Sequence, residues 1–197
     1  MPTIMTHSVV ALSAGYVFDR AGVPKRFWVL AVMAAVMPDA DVIGYQYLYI
    51  PYGHLLGHRG FFHSPVFAAL FSLAAVSIFF RRERVLSRRW WRYVLFFFVV
   101  GASHGLLDAM TNGGRGIALL SPFSNQRYFL PWTPIEVSPI GVRAFISPRG
   151  LTVMKSEVLW IWIPAMSIAL FGWVVRTLNS AARQKNLATP GRLDRRR

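Results

Sequence analysis

The 197-residue chain contains no cysteine, which excludes a disulfide framework, a thiolate zinc site, an iron–sulfur cluster and a cysteine nucleophile. Acids are scarce as well: 8 Asp+Glu stand against 22 Lys+Arg, for a formal net charge of +14. Charged residues make up only 15% of the chain while apolar residues make up 54%. That balance excludes disorder, and it does not describe an ordinary soluble core. Charge and apolar surface must therefore be segregated along the chain. No Lys or Arg precedes Arg20, so the basic start of a signal peptide is missing and the first apolar run is expected to be retained. No internal repeat is visible.

What is abundant is apolar sequence in long runs. Residues 61–80, 93–110 and 158–175 each come close to the roughly 20 residues that cross a bilayer core. Two further runs, 9–18 and 27–37, are too short to cross alone and read as short N-terminal helices packed on the long ones. The expected fold is all-α: a polytopic membrane helical bundle with three full spans, two short helices and an outer interfacial loop or hairpin. That loop falls in the Pro- and Gly-rich stretch from Thr111 to Lys155, where Trp, Phe and Tyr suit the membrane boundary. Residues 1–178 form the membrane-embedded domain, and 179–197 read as a disordered basic tail.

The cations set the orientation, because they accumulate on the cytoplasmic side of spans. With the N-terminus outside, Arg20, Lys25 and Arg26, the arginines between 81 and 92, and the tail from Arg176 lie inside. The split is sixteen cations inside against six outside. It predicts a multi-pass inner (plasma) membrane protein with a cytoplasmic C-terminus, and it accounts for the basic charge by anionic lipid heads, so no nucleic-acid partner is expected.

The same topology puts His7, His54, His58, His63 and His104 on the outer side together with Asp39, Asp41 and Asp108. His104 and Asp108 are four apart, an imidazole and a carboxylate on one helical face. Met37-Pro38-Asp39-Ala40-Asp41 ends a helix with two carboxylates one residue apart. In Gly57-His58-Arg59-Gly60-Phe61-Phe62-His63-Ser64, two histidines straddle a glycine that lets the backbone turn tightly toward a bound group, and Arg59 offers a forked donor for phosphate or carboxylate. Each piece has an ordinary alternative: a packing His–Asp hydrogen bond, a solvated loop, or, for His7 and His54, a polar residue at a helix start or in a turn. Their convergence favours a divalent ion, because imidazoles and carboxylates without thiolates are the ligands of a catalytic zinc or manganese site with one or two ions.

In order, Thr6-His7-Ser8, Pro38-Asp39-Ala40-Asp41, the 58–64 segment, Ser103-His104-Gly105-Leu106-Leu107-Asp108 and Thr111 resemble the YdjM family of inner-membrane, metal-dependent hydrolases. The resemblance covers about residues 5–140. It implies that His7, Asp39, Asp41, His58, His63, His104 and Asp108 surround a metal site, with Arg59 and Thr111 nearby. Phe62 stands where many members have Thr, and Val42 where some have His. The expected activity is hydrolysis of an ester or phosphoester, with membrane lipid as partner and a lipid or phosphoester as substrate. Asp39 or Asp41 would be the base, with Asp39 preferred, and Arg59 would stand at the rim. The alternative is a membrane protein that binds or moves a metal without catalysis. A path through the membrane would need polar groups in the inner halves of the long spans, which offer only Ser72, Ser77 and Tyr93.

Overall fold

A computed structural model describes residues 1–18, 22–139 and 141–188. Among these, all regular structure is helical, apart from two isolated β-bridges, Thr111 with Ile135 and Ile117 with Tyr128. Helix α1 (Ile4–Phe18) starts where the Thr3 hydroxyl accepts from the Thr6 N–H at 3.3 Å. Helix α2 (Lys25–Val36) follows Pro24 and gives way to a 3₁₀ turn, Met37–Ala40, before α3 (Asp41–Tyr47) resumes. Pro38 has no N–H to continue the α-ladder. The chain tightens there, and the turn carries Asp39 and Asp41 inward, both buried.

A second 3₁₀ turn, Phe61–His63, leads into α4 (Pro65–Phe79), which Ser64 caps by accepting from the Phe67 N–H at 3.1 Å. Helix α5 (Arg88–Ala109) is capped in the same way by Ser87, which accepts from the Trp90 N–H at 3.2 Å. After short α6 (Val142–Phe145), α7 (Pro148–Glu157) passes through a π turn, Val158–Trp162, into α8 (Ile163–Ala188). The widened turn ends two residues before Pro164, which lacks the N–H an α-ladder needs.

Among the described residues, three helical stretches are long and apolar enough to cross a membrane: Lys25–Tyr47, Arg88–Ala109 and Pro148–Ser180. The expected number of long helices is found, but one is differently placed. The run at 27–37 is not a short helix, because the 3₁₀ turn at Pro38 lets the helical path continue to Tyr47. The run at 61–80 is instead a 15-residue helix, since residues 61–63 form a turn. The two shorter apolar helices are therefore α1 and α4. Helix α8 runs past the expected boundary at 179 to Ala188, while Arg20 and the last nine residues of the expected tail lie outside the described residues.

The bundle core lies toward the end where α4 stops and α5 begins. Phe27, Phe80 and Phe97 are buried there, with Phe96 and Phe97 each within 5.4 Å of the Phe27 ring. Helix α1 packs on α2 and α8, and α5 on α2 and α4. Most of α8 is exposed, including Ile168, Leu170 and Phe171, an apolar face suited to lipid.

Candidate metal centre

At the opposite end of the bundle, four separate segments deliver polar side chains to one point. His7 comes from the first turns of α1, Asp39 from the Pro38 turn, His63 from the turn before α4, and His104 and Asp108 from the last turns of α5. All five are buried. Their approach depends on Gly105: a Cβ there would strike the His63 carbonyl, so only glycine allows α5 to lie against that turn.

The Nε2 atoms of His7, His63 and His104 and both carboxylate oxygens of Asp39 and Asp108 have no hydrogen-bond partner. Such atoms are costly to bury unpaired. They face one another: His104 Nε2 is 3.4 Å from Asp39 Oδ1, His63 Nε2 is 3.7 Å from Asp39 Oδ1 and 3.6 Å from Asp108 Oδ2, and His7 Nε2 is 3.6 Å from Asp108 Oδ1. These gaps are long for hydrogen bonds. They match the spacing of about 3.3–3.6 Å between ligand atoms that each lie about 2.0–2.2 Å from one tetrahedral ion. Two triads, His7–His104–Asp108 and Asp39–His63–His104, each bring their ligand atoms within 4.8 Å of one another. The donor set therefore fits a divalent ion.

The surroundings orient the imidazoles. His104 Nδ1 donates to the Ala35 carbonyl at 2.6 Å, which leaves Nε2 as the inward lone pair when the ring is neutral. His63 Nδ1 lies 3.1 Å from Asp41 Oδ2. Burial by itself would lower the His63 imidazole, but the Asp39 and Asp41 carboxylates override it and raise it to about 9. The His7 and His104 rings stack at 3.8 Å.

Several expected residues hold other positions. Asp41 is not among the unpaired groups: it accepts from His58 Nδ1 at 2.7 Å and from the Arg59 N–H at 2.9 Å. It thus ties the 58–63 segment to α3, and His58, occupied by Asp41, lies outside both triads. Arg59 is not at a rim. It is 1% exposed, with Nε 3.2 Å from Asp108 Oδ2, Nη1 donating to the Gly113 carbonyl at 2.9 Å and Nη2 to the Thr111 hydroxyl at 3.1 Å. The fork expected to face substrate instead steadies Asp108. Gly60 serves a tight approach to the Leu55 carbonyl within its own loop. His54 is exposed and only accepts from the Leu56 N–H in a turn.

The stretch after Thr111 folds back over the centre, burying Ile117 and Ile135. Arg127 clamps it there by donating to the carbonyls of His58, Arg59 and Tyr52. Reasoning from ligand types misses Glu157, which is fully buried and accepts from the Thr3 N–H and from the Thr3 and Thr6 hydroxyls at 2.5–2.6 Å. Trp162 Nε1 also donates to Thr6 Oγ1, so this carboxylate fastens the start of α1, and with it His7, to the α7–α8 helix. Its signal in the sequence is a lone acid at the head of the longest apolar helix.

The profile of the family described as YdjM inner membrane protein matches residues 1–181. Inner membrane protein YbcI of Escherichia coli (strain K12) is 39% identical over 173 residues, which cover 88% of this chain and 98% of that protein. No solved structure matches the chain.

Proposed function

The chain belongs to the YdjM inner membrane protein family, and from that premise we propose that it is a metal-dependent hydrolase acting on an ester or phosphoester at one membrane face. The carrying observation is the set of unpaired ligand atoms from His7, Asp39, His63, His104 and Asp108. In this reading His7, His63, His104 and Asp108 hold the ion, zinc being the first choice and manganese the second. A divalent ion supplies a water made acidic near neutral pH and takes up charge developing on the scissile group. Asp39 is the base. It lines an open cavity, and both its oxygens are free of hydrogen bonds. Asp41 and Arg59 position: one orients His63, the other neutralises Asp108.

Binding or transport without catalysis is less well supported. The far end of the bundle is packed with aromatic rings, and of Ser72, Ser77 and Tyr93 only Ser72 and Tyr93 are buried there, too few for an ion path. The test is metal analysis of the purified protein followed by a panel of ester and phosphodiester substrates. Asp39→Asn should keep the metal and lose turnover by a factor on the order of 100 or more, whereas His104→Ala should lose both. A metal-loaded protein that cleaves nothing in the panel while exchanging its ion reversibly would favour the binding reading.

A further inference from the structure

We propose that the cavity beside Asp39 is a hydrocarbon site that takes one chain of a membrane lipid from the side of the bilayer, with the lipid's polar linkage held at the Asp39 end. For its reaction this rests on the hydrolase reading; for binding it does not. The cavity measures about 760 Å³ and lies between the start of α1, the α2–α3 path and the segment around Phe145. Its walls are apolar, with Met5, Met33, Val36, Ile43 and Phe145 prominent, and no Lys or Arg is among the described residues that line it.

Four of the seven methionines in the chain, Met1, Met5, Met33 and Met37, contribute to this lining. Their unbranched, polarizable side chains suit a flexible guest without fixed shape. Asp39 is the sole charged side chain on the described lining; it is 6% exposed, and both its oxygens lack hydrogen-bond partners. An apolar volume that ends on one buried, unpartnered carboxylate at a metal-type centre is built for an amphiphile. With no Lys or Arg side chain on the described lining, the walls hold the chain, not an anionic head. Ile43 and Met5 remain substantially exposed on helices that read as membrane-embedded, so the opening faces lipid.

The test uses the full chain in phosphatidylcholine bilayer discs containing a phosphatidylethanolamine with a photoreactive diazirine midway along one acyl chain. Peptides around residues 5, 33–43 and 145 should be labelled at least fivefold more than the lipid-facing surface of α8. Ile43→Trp and Met33→Trp, which fill the cavity from two helices, should each cut that labelling at least fivefold while zinc content and α8 labelling stay unchanged. Labelling no stronger in the cavity than on α8 overturns the proposal, and this comparison in the unmodified protein decides the matter even if a variant fails to fold. Labelling that survives both substitutions within twofold overturns it too.

A chain-length series of alkyl phosphodiesters separates this site from the hydrolase reading. Each added methylene should raise kcat/KM roughly fourfold until the cavity is full. Strong cavity labelling with no cleavage of any ester sinks the hydrolase reading and leaves the lipid site standing. Cleavage indifferent to chain length, with no cavity labelling, does the reverse.

Discussion

At the residue scale the centre consists of groups that satisfy one another only incompletely. Arg59 is the clearest case, because its guanidinium is buried against Asp108, Thr111 and Gly113. Replacing it strands a buried carboxylate, so Arg59→Met should destabilise the protein by about 3–5 kcal/mol. An arginine that merely greeted substrate at a rim would raise KM and leave thermal stability alone; that outcome would contradict the buried role. His63 carries a pH signature. Raised to about 9 by its carboxylate neighbours despite its burial, it holds a proton at neutral pH in the metal-free protein, and an ion needs it neutral. Apparent zinc affinity measured against a competing chelator should therefore climb about tenfold per pH unit from 7 toward 9, then level off. The sign for the metal-free protein is opposite. Its folded-state pKa exceeds the unfolded value, so the stability His63 contributes is fully present below about 6.5 and is lost as pH rises through 9. An affinity flat between pH 7 and 9 would refute the assignment of His63 as a ligand.

At the scale of elements, two local devices set the site. Pro38 interrupts α2 and swings Asp39 and Asp41 inward, and Gly105 admits the 61–63 turn against α5. Gly105→Ala places a methyl where the His63 carbonyl sits, and overpacking of this kind costs about 1–3 kcal/mol. Because the carbonyl belongs to a ligand-bearing turn, part of the effect should fall on the metal: zinc content should drop with thermal stability, while Gly172→Ala on α8, far from the turn, retains full zinc. Equal zinc in both variants would mean that the turn adjusts without moving His63. The glycine's role is hidden in the sequence, where Gly105 looks like any small residue in an apolar helix. The role exists only because another segment's backbone arrives there.

For the molecule as a whole, the separation of charge is the organising feature. The arginines around the α4–α5 turn and Lys25 with Arg26 lie at one end, and the metal-type centre lies at the other. With α1, the α2–α3 path, α4, α5 and the α7–α8 path alternating in direction, the positive end is predicted to face the cytoplasm. Reporter fusions at Leu86 and after the last residue should both read as cytoplasmic. An external signal at either would overturn this orientation and put the site at the inner face.

Much of this was legible in the linear chain, because hydrophobic length is additive along it: the helical membrane class and the number of long apolar helices follow from counting, although one of them lies at Lys25–Tyr47 and not at 61–80. His104 with Asp108 was readable for the same reason, since a helix places residues four apart on one face whatever surrounds it. The division of labour among the acids was not readable. Asp39 and Asp41 are near neighbours of one type, yet one is left unpaired beside a cavity while the other is consumed by His58 and the Arg59 N–H. Arg59 turns inward and Glu157 fastens α1 for the same cause: which polar atoms remain free depends on partners some 50 to 150 positions away in the chain. Burial and hydrogen bonding are pairwise properties of the folded packing, and sequence spacing carries no record of them.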